Sequence, residues 1–81
     1  MKIEVLGTRC QRCDQLYANA LTAAADFDHS LEIEVQKIGD VNYFMTKGVF
    51  MTPGLVIAGK VISVGKVLAV EEIKAKIQEQ L

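Results

Sequence analysis

At 81 residues the chain has room for one small domain, and its nine Lys and Arg against ten Asp and Glu leave a net charge of −1. That balance gives no electrostatic footing for nucleic acid or an anionic membrane surface, so neither is an expected partner. With 51% apolar residues and a mean hydropathy of +0.24 the composition is globular, although a chain this short buries only about 60–65% of its unfolded surface.

Lys2-Ile3-Glu4-Val5-Leu6 alternates polar and apolar residues, the pattern of a short strand. Lys2 and Glu4 also interrupt the only early apolar run, which argues against a secretory leader. No stretch approaches the roughly 20 apolar residues that a membrane span requires. The expected location is the cytoplasm, and the expected state is a monomer.

Gly7 and Thr8 turn the chain into Arg9-Cys10-Gln11-Arg12-Cys13, which holds its only two cysteines. Residues at i and i+3 share a helix face, so the two sulfurs are within bonding reach. Cys10 falls at the start of a helix, where unpaired N–H groups and the macrodipole favour an anion, and Arg9 and Arg12 add positive charge. These features favour the thiolate, the nucleophilic form. Cys10 is therefore the candidate attacking sulfur. Cys13, one turn further in and more buried, is the candidate resolving sulfur. A bridge closing two intervening residues constrains the unfolded chain very little, so a structural staple is a poor explanation. In a reducing compartment such a pair is more often catalytic or metal-binding.

From Asp14 to about Phe27 the spacing is helical, with Leu16, Ala20, Ala23 and Phe27 in one row and Tyr17, Leu21 and Ala24 beside it. Asp28-His29-Ser30 ends the helix, with His29 expected in a solvated loop. Leu31 to Ile38 returns to period two, as expected of an edge strand with one wet face; Lys37 is expected on the surface. Asp40 reads as the N-cap of a short helix carrying Val41, Phe44 and Met45, with Gly48 as its stop. Val49 to Pro53 is an apolar loop holding the only proline.

Leu55-Val56-Ile57-Ala58 is wholly apolar and reads as a central strand buried on both faces. Gly59-Lys60 fits a tight turn, Val61 to Val64 returns as its partner, and Gly65 closes the hairpin. The last helix runs from about Val70 to Leu81, with Val70, Ile73, Ile77 and Leu81 inside. Glu72 and Lys76 are spaced for an i,i+4 ion pair on its outer face. Met45 and Met51 are expected to pack, and Met51, Tyr17 and Phe50 are candidates for an apolar rim around the sulfurs. The order is βαβαββα, an α/β fold with a four-stranded mixed sheet flanked by three helices.

That order, with C-x-x-C opening the first helix and Thr52-Pro53 just before the third strand, resembles the thioredoxin fold. More closely, it is similar to the small single-domain thioredoxin-like proteins called redox-active disulfide proteins. The resemblance runs from Lys2 to the final helix. It implies a cis peptide at Pro53, beside the dithiol, and a Thr52 backbone free to pair with an extended substrate segment. It also implies that Glu4, six positions before Cys10, is a buried acid that accepts the Cys13 proton during resolution. Arg9, Arg12 and Met51 are the further candidates for substrate contact.

The chain departs from the family in having Gln11-Arg12 between the cysteines and no tryptophan, so a reduction potential does not carry over. Ser63-Val64-Gly65-Lys66 lacks the acid that grips glutathione in glutaredoxins. The implied activity is thiol–disulfide oxidoreduction of a protein substrate, with a separate reductase as electron donor and no bound cofactor. The alternatives are soft-metal binding by the same two thiolates and a redox-sensing module without turnover.

Overall fold

Lys2–Leu6 forms strand β1, as its alternation predicts, and a computed structural model of the chain places it in the middle of the sheet. The structure describes residues 1–8, 10–27 and 29–81, and for His29 the backbone alone. The expected positions of Arg9, Asp28 and the His29 side chain lie outside the described residues. After β1 come helix α1 (Gln11–Ala25), a single 3₁₀ turn (His29–Leu31) and strand β2 (Glu34–Ile38). Helix α2 (Val41–Thr46), strands β3 (Gly54–Ile57) and β4 (Lys60–Val64), and helix α3 (Val70–Glu79) complete the order. The sheet runs β2-β1-β3-β4, with β1 and β2 parallel and the other neighbours antiparallel.

Side-chain alternation along the two central strands divides the interior in two. Ile3 and Val5 of β1 and Leu55 and Ile57 of β3 face Leu16, Ala20 and Ala23 of α1 and Ile73 and Ile77 of α3. Leu6 and Val56 point the other way, onto Phe44 of α2 and Val49. All four residues of β3 are buried, as a wholly apolar strand requires. Each fully buried Leu or Ile contributes about 1.5–3 kcal/mol. The alanines of α1 let that helix lie close against the sheet.

The structure corrects several local expectations. β2 begins at Glu34, not Leu31, because Glu32 takes a left-handed backbone (φ 50°) and breaks the extended run; Leu31 sits exposed in the 3₁₀ turn. The β3–β4 turn is Ala58-Gly59, with Ile57 opposite Lys60 and both turn residues at positive φ (52° and 81°). This matches the strand twist, as type I′ hairpins do. Met45 is 59% exposed, since α2 turns only Phe44 fully inward. Leu81 lies beyond the end of α3 and is exposed.

Two charged residues also have other partners. Glu72 does not pair with Lys76. Its Oε1 accepts the Ala69 N–H at 3.1 Å, capping the start of α3, where an orphan donor and the helix dipole both favour a carboxylate. Lys76 sits 3.5 Å from Glu79 instead. Lys37, on the surface, forms an ion pair with Asp14 of α1.

Candidate functional site

The sulfurs of Cys10 and Cys13 are joined, with their Cα atoms 5.3 Å apart. Cys10 is the N-cap of α1, its backbone extended (φ −150°, ψ 152°), and its Sγ accepts the Cys13 N–H at 3.1 Å. A serine or aspartate oxygen commonly plays this part, and here sulfur does. The arrangement points one orphan donor of the helix at the Cys10 sulfur. Cys10 is partly exposed; Cys13 is fully buried. Asp14, whose negative charge lies next to the dithiol in sequence, is offset by Lys37.

Gly7, where β1 gives way to the cysteine loop, presses on Cys13. A methyl group in place of its hydrogen would stand 2.8 Å from Cys13 Cβ and overlap Sγ. The Gly7 N–H donates to the Ile38 carbonyl at 2.9 Å, continuing the β1–β2 pairing to the foot of the site. Gly7, Thr8, Lys37 and Gly39 line a cavity of about 380 Å³ beside it.

The Thr52–Pro53 peptide is cis, and Pro53 is fully buried. Among the described residues the Thr52 N–H and C=O have no hydrogen-bond partner, whereas the Pro53 carbonyl accepts the Gly65 N–H at 2.9 Å. Met51 and Phe50, just before them, are 66% and 77% exposed. Met51 lies over Gly65, its Cβ 3.4 Å from where a Gly65 side chain would begin. Tyr17, one turn after Cys13 on α1, is half-buried and packs against the larger core. Arg12, a candidate for substrate contact, donates from its guanidinium to the Gly65 carbonyl at 2.6 Å.

Glu4 is inside, with 6% of its surface exposed. By strand alternation it shares the α2 face with Leu6, and its Oε2 accepts the Tyr43 hydroxyl at 2.6 Å. Its hydrogen bond is thus to Tyr43 and not to Cys13, whose helix packs on the other face. Tyr43 was not legible as a partner: it stands 39 residues away, and neither residue carries a pairing motif. The bond to the carboxylate, then partial burial and the nearby negative charge, raise the Tyr43 hydroxyl above its ordinary pKa of 10.0.

A hydrogen bond to a buried carboxylate is worth about 2 kcal/mol, so Tyr43→Phe should lower stability by about that much at neutral pH. Because the folded-state pKa of Tyr43 is raised, the contribution is full below pH 10 and is lost as pH climbs through the folded value. Urea melts of both proteins from pH 7 to 11 should show a gap that narrows only at the alkaline end.

Among the described residues, no group of three or more His, Cys, Asp or Glu gathers at one point. Nor is any helix of the described residues long and apolar enough to cross a membrane.

A family model described as a thioredoxin domain matches residues 1–78. No curated protein matches the chain.

Proposed function

Because the chain belongs to the thioredoxin domain family, with the match covering residues 1–78, we propose that it is a thiol–disulfide oxidoreductase acting on protein disulfides. The observation that carries this reading is the Cys10 sulfur at the helix N-cap, holding the Cys13 N–H and bonded to the Cys13 sulfur.

In the reduced protein, the Cys10 thiolate attacks one sulfur of a substrate disulfide. A Cys10–substrate bond forms, the substrate S–S bond breaks, and the other substrate sulfur leaves and takes a proton. Cys13 then loses its proton and attacks Cys10 Sγ, expelling the second substrate thiol. Two thiols of the chain are oxidised and one substrate disulfide is reduced. The joined Cys10–Cys13 pair seen here is the product state, which a separate reductase returns to the dithiol.

The partly exposed Cys10 meets the substrate first, and the buried Cys13 suits the intramolecular second step. The unpaired Thr52 backbone offers an extended substrate segment a strand-like partner. Glu4 is the buried carboxylate among the described residues, but it bonds Tyr43 on the α2 face, across the sheet from the helix that carries Cys13, so it is not assigned the Cys13 proton. A cytoplasmic location, where such dithiols are kept reduced, suits this chemistry.

Insulin reduction tests the reading. With dithiothreitol as donor, the protein should accelerate insulin precipitation over dithiothreitol alone. No acceleration with insulin or with other disulfide proteins would overturn it.

A further inference from the structure

Gly65 is the point where three parts of the site meet. Its carbonyl accepts the Arg12 guanidinium at 2.6 Å, and its N–H donates to the Pro53 carbonyl at 2.9 Å. Its Cα lies under the Met51 side chain. It adopts φ +73°, where side chains are strained, so the loop turns here in a way that aims both of its peptide groups at these partners. Arg12 stands between the two cysteines, so one chain of two hydrogen bonds links the dithiol helix to the loop that carries Thr52 and Pro53.

We propose that Arg12 is a positioning residue: through Gly65 it holds the Pro53 loop at a set distance from Cys10, and so fixes where a substrate main chain lies relative to the attacking sulfur. This rests on the reading of Cys10–Cys13 as a reactive dithiol and gives Arg12 a part other than attracting acidic substrates. A guanidinium suits the task because its planar fork is pre-organised and always charged, and a bond from a charged donor is stronger than one from a neutral donor. Small displacements of a bound substrate have large kinetic costs.

The test compares wild type, Arg12→Ala and Lys66→Ala, the last removing an exposed positive charge next to Gly65 in sequence. With insulin as substrate, Arg12→Ala should lower kcat about tenfold with KM changed less, because substrate still binds but no longer lies where the Cys10 sulfur can reach it. The loss should be the same at about 50 and 500 mM salt, conditions that separate exposed charge steering from a fixed contact. Lys66→Ala should behave as wild type. Amide hydrogen exchange gives a second readout: Gly65 should exchange faster in Arg12→Ala, while Ala58, whose N–H bonds the Lys2 carbonyl, should not change.

A loss that disappears in high salt, or that Lys66→Ala shares, would make Arg12 a steering charge and overturn the proposal. So would a rise in KM with kcat unchanged, or unchanged Gly65 exchange. If the wild-type protein reduces no disulfide, the oxidoreductase reading fails by itself, and Gly65 exchange still decides whether the tether exists.

Discussion

Replacing Cys10 by serine should reduce disulfide turnover by at least about 1000-fold, whereas Cys13→Ser should leave a protein that attacks once and stays attached. The difference follows from placement. Cys10 is partly exposed and receives the Cys13 N–H, a backbone group that survives substitution of the Cys13 side chain. Cys13 is fully buried and cannot meet a protein disulfide first. Incubating Cys13→Ser with oxidised substrate, quenching in acid and measuring intact mass should show an adduct that dithiothreitol releases. Cys10→Ser should show none. If the adduct appears on Cys10→Ser instead, the attacking and resolving roles are reversed.

The next largest effect is expected from a single methyl group. Gly7→Ala would place a carbon 2.8 Å from Cys13 Cβ and overlap its sulfur, so β1, the helix start or the cysteine must shift. Overpacking of this kind costs about 2 kcal/mol. For a domain of this size that corresponds to a fall in Tm of about 10 °C. The displaced atom is one of the two bonded sulfurs, so the loss should also appear in the redox equilibrium of the Cys10–Cys13 pair. Thermal melts of both redox states, with a glutathione titration, would show it. A variant with unchanged stability and unchanged redox equilibrium would mean that Gly7 does not press on the cysteine as described.

Much of the site was legible because its parts are local. C-x-x-C at a strand-to-helix turn, Gly7 before it, and Thr52-Pro53 before an apolar strand are short patterns with their own geometry. Leu55-Val56-Ile57-Ala58 read as a buried strand because all four are apolar, and the structure buries Leu55, Val56 and Ile57 but leaves Ala58 exposed in the turn. β1 was harder. Its polar-apolar alternation is also what a half-wet strand shows, and nothing nearby reveals that β2 and β3 flank it on both sides. Glu4 is buried because of that position.

The pairings of Tyr43 with Glu4 and of Arg12 with Gly65 were not legible, for the same reason. Their bonds span 39 and 53 residues, and such contacts exist only once the sheet has brought the loops together. Glu72 shows a local competition: the Ala69 N–H and Lys76 were both within its reach, and the helix end took the carboxylate. Met45 shows the limit of periodicity in a helix of six residues, where one inward residue is enough.

The split interior has a consequence for how this protein can change. Cys10 and Cys13 ride on a helix seated in the larger apolar cluster, while the Pro53 segment is rooted through Val49 and Phe44 in the smaller one across the sheet. On the proposed chemistry, sulfur exchange and partner choice thus stand on separate foundations. Substitutions beneath α2 should then reshape what is recognised without disturbing the thiols, with the Arg12–Gly65 link as the coupling that keeps the two halves in step.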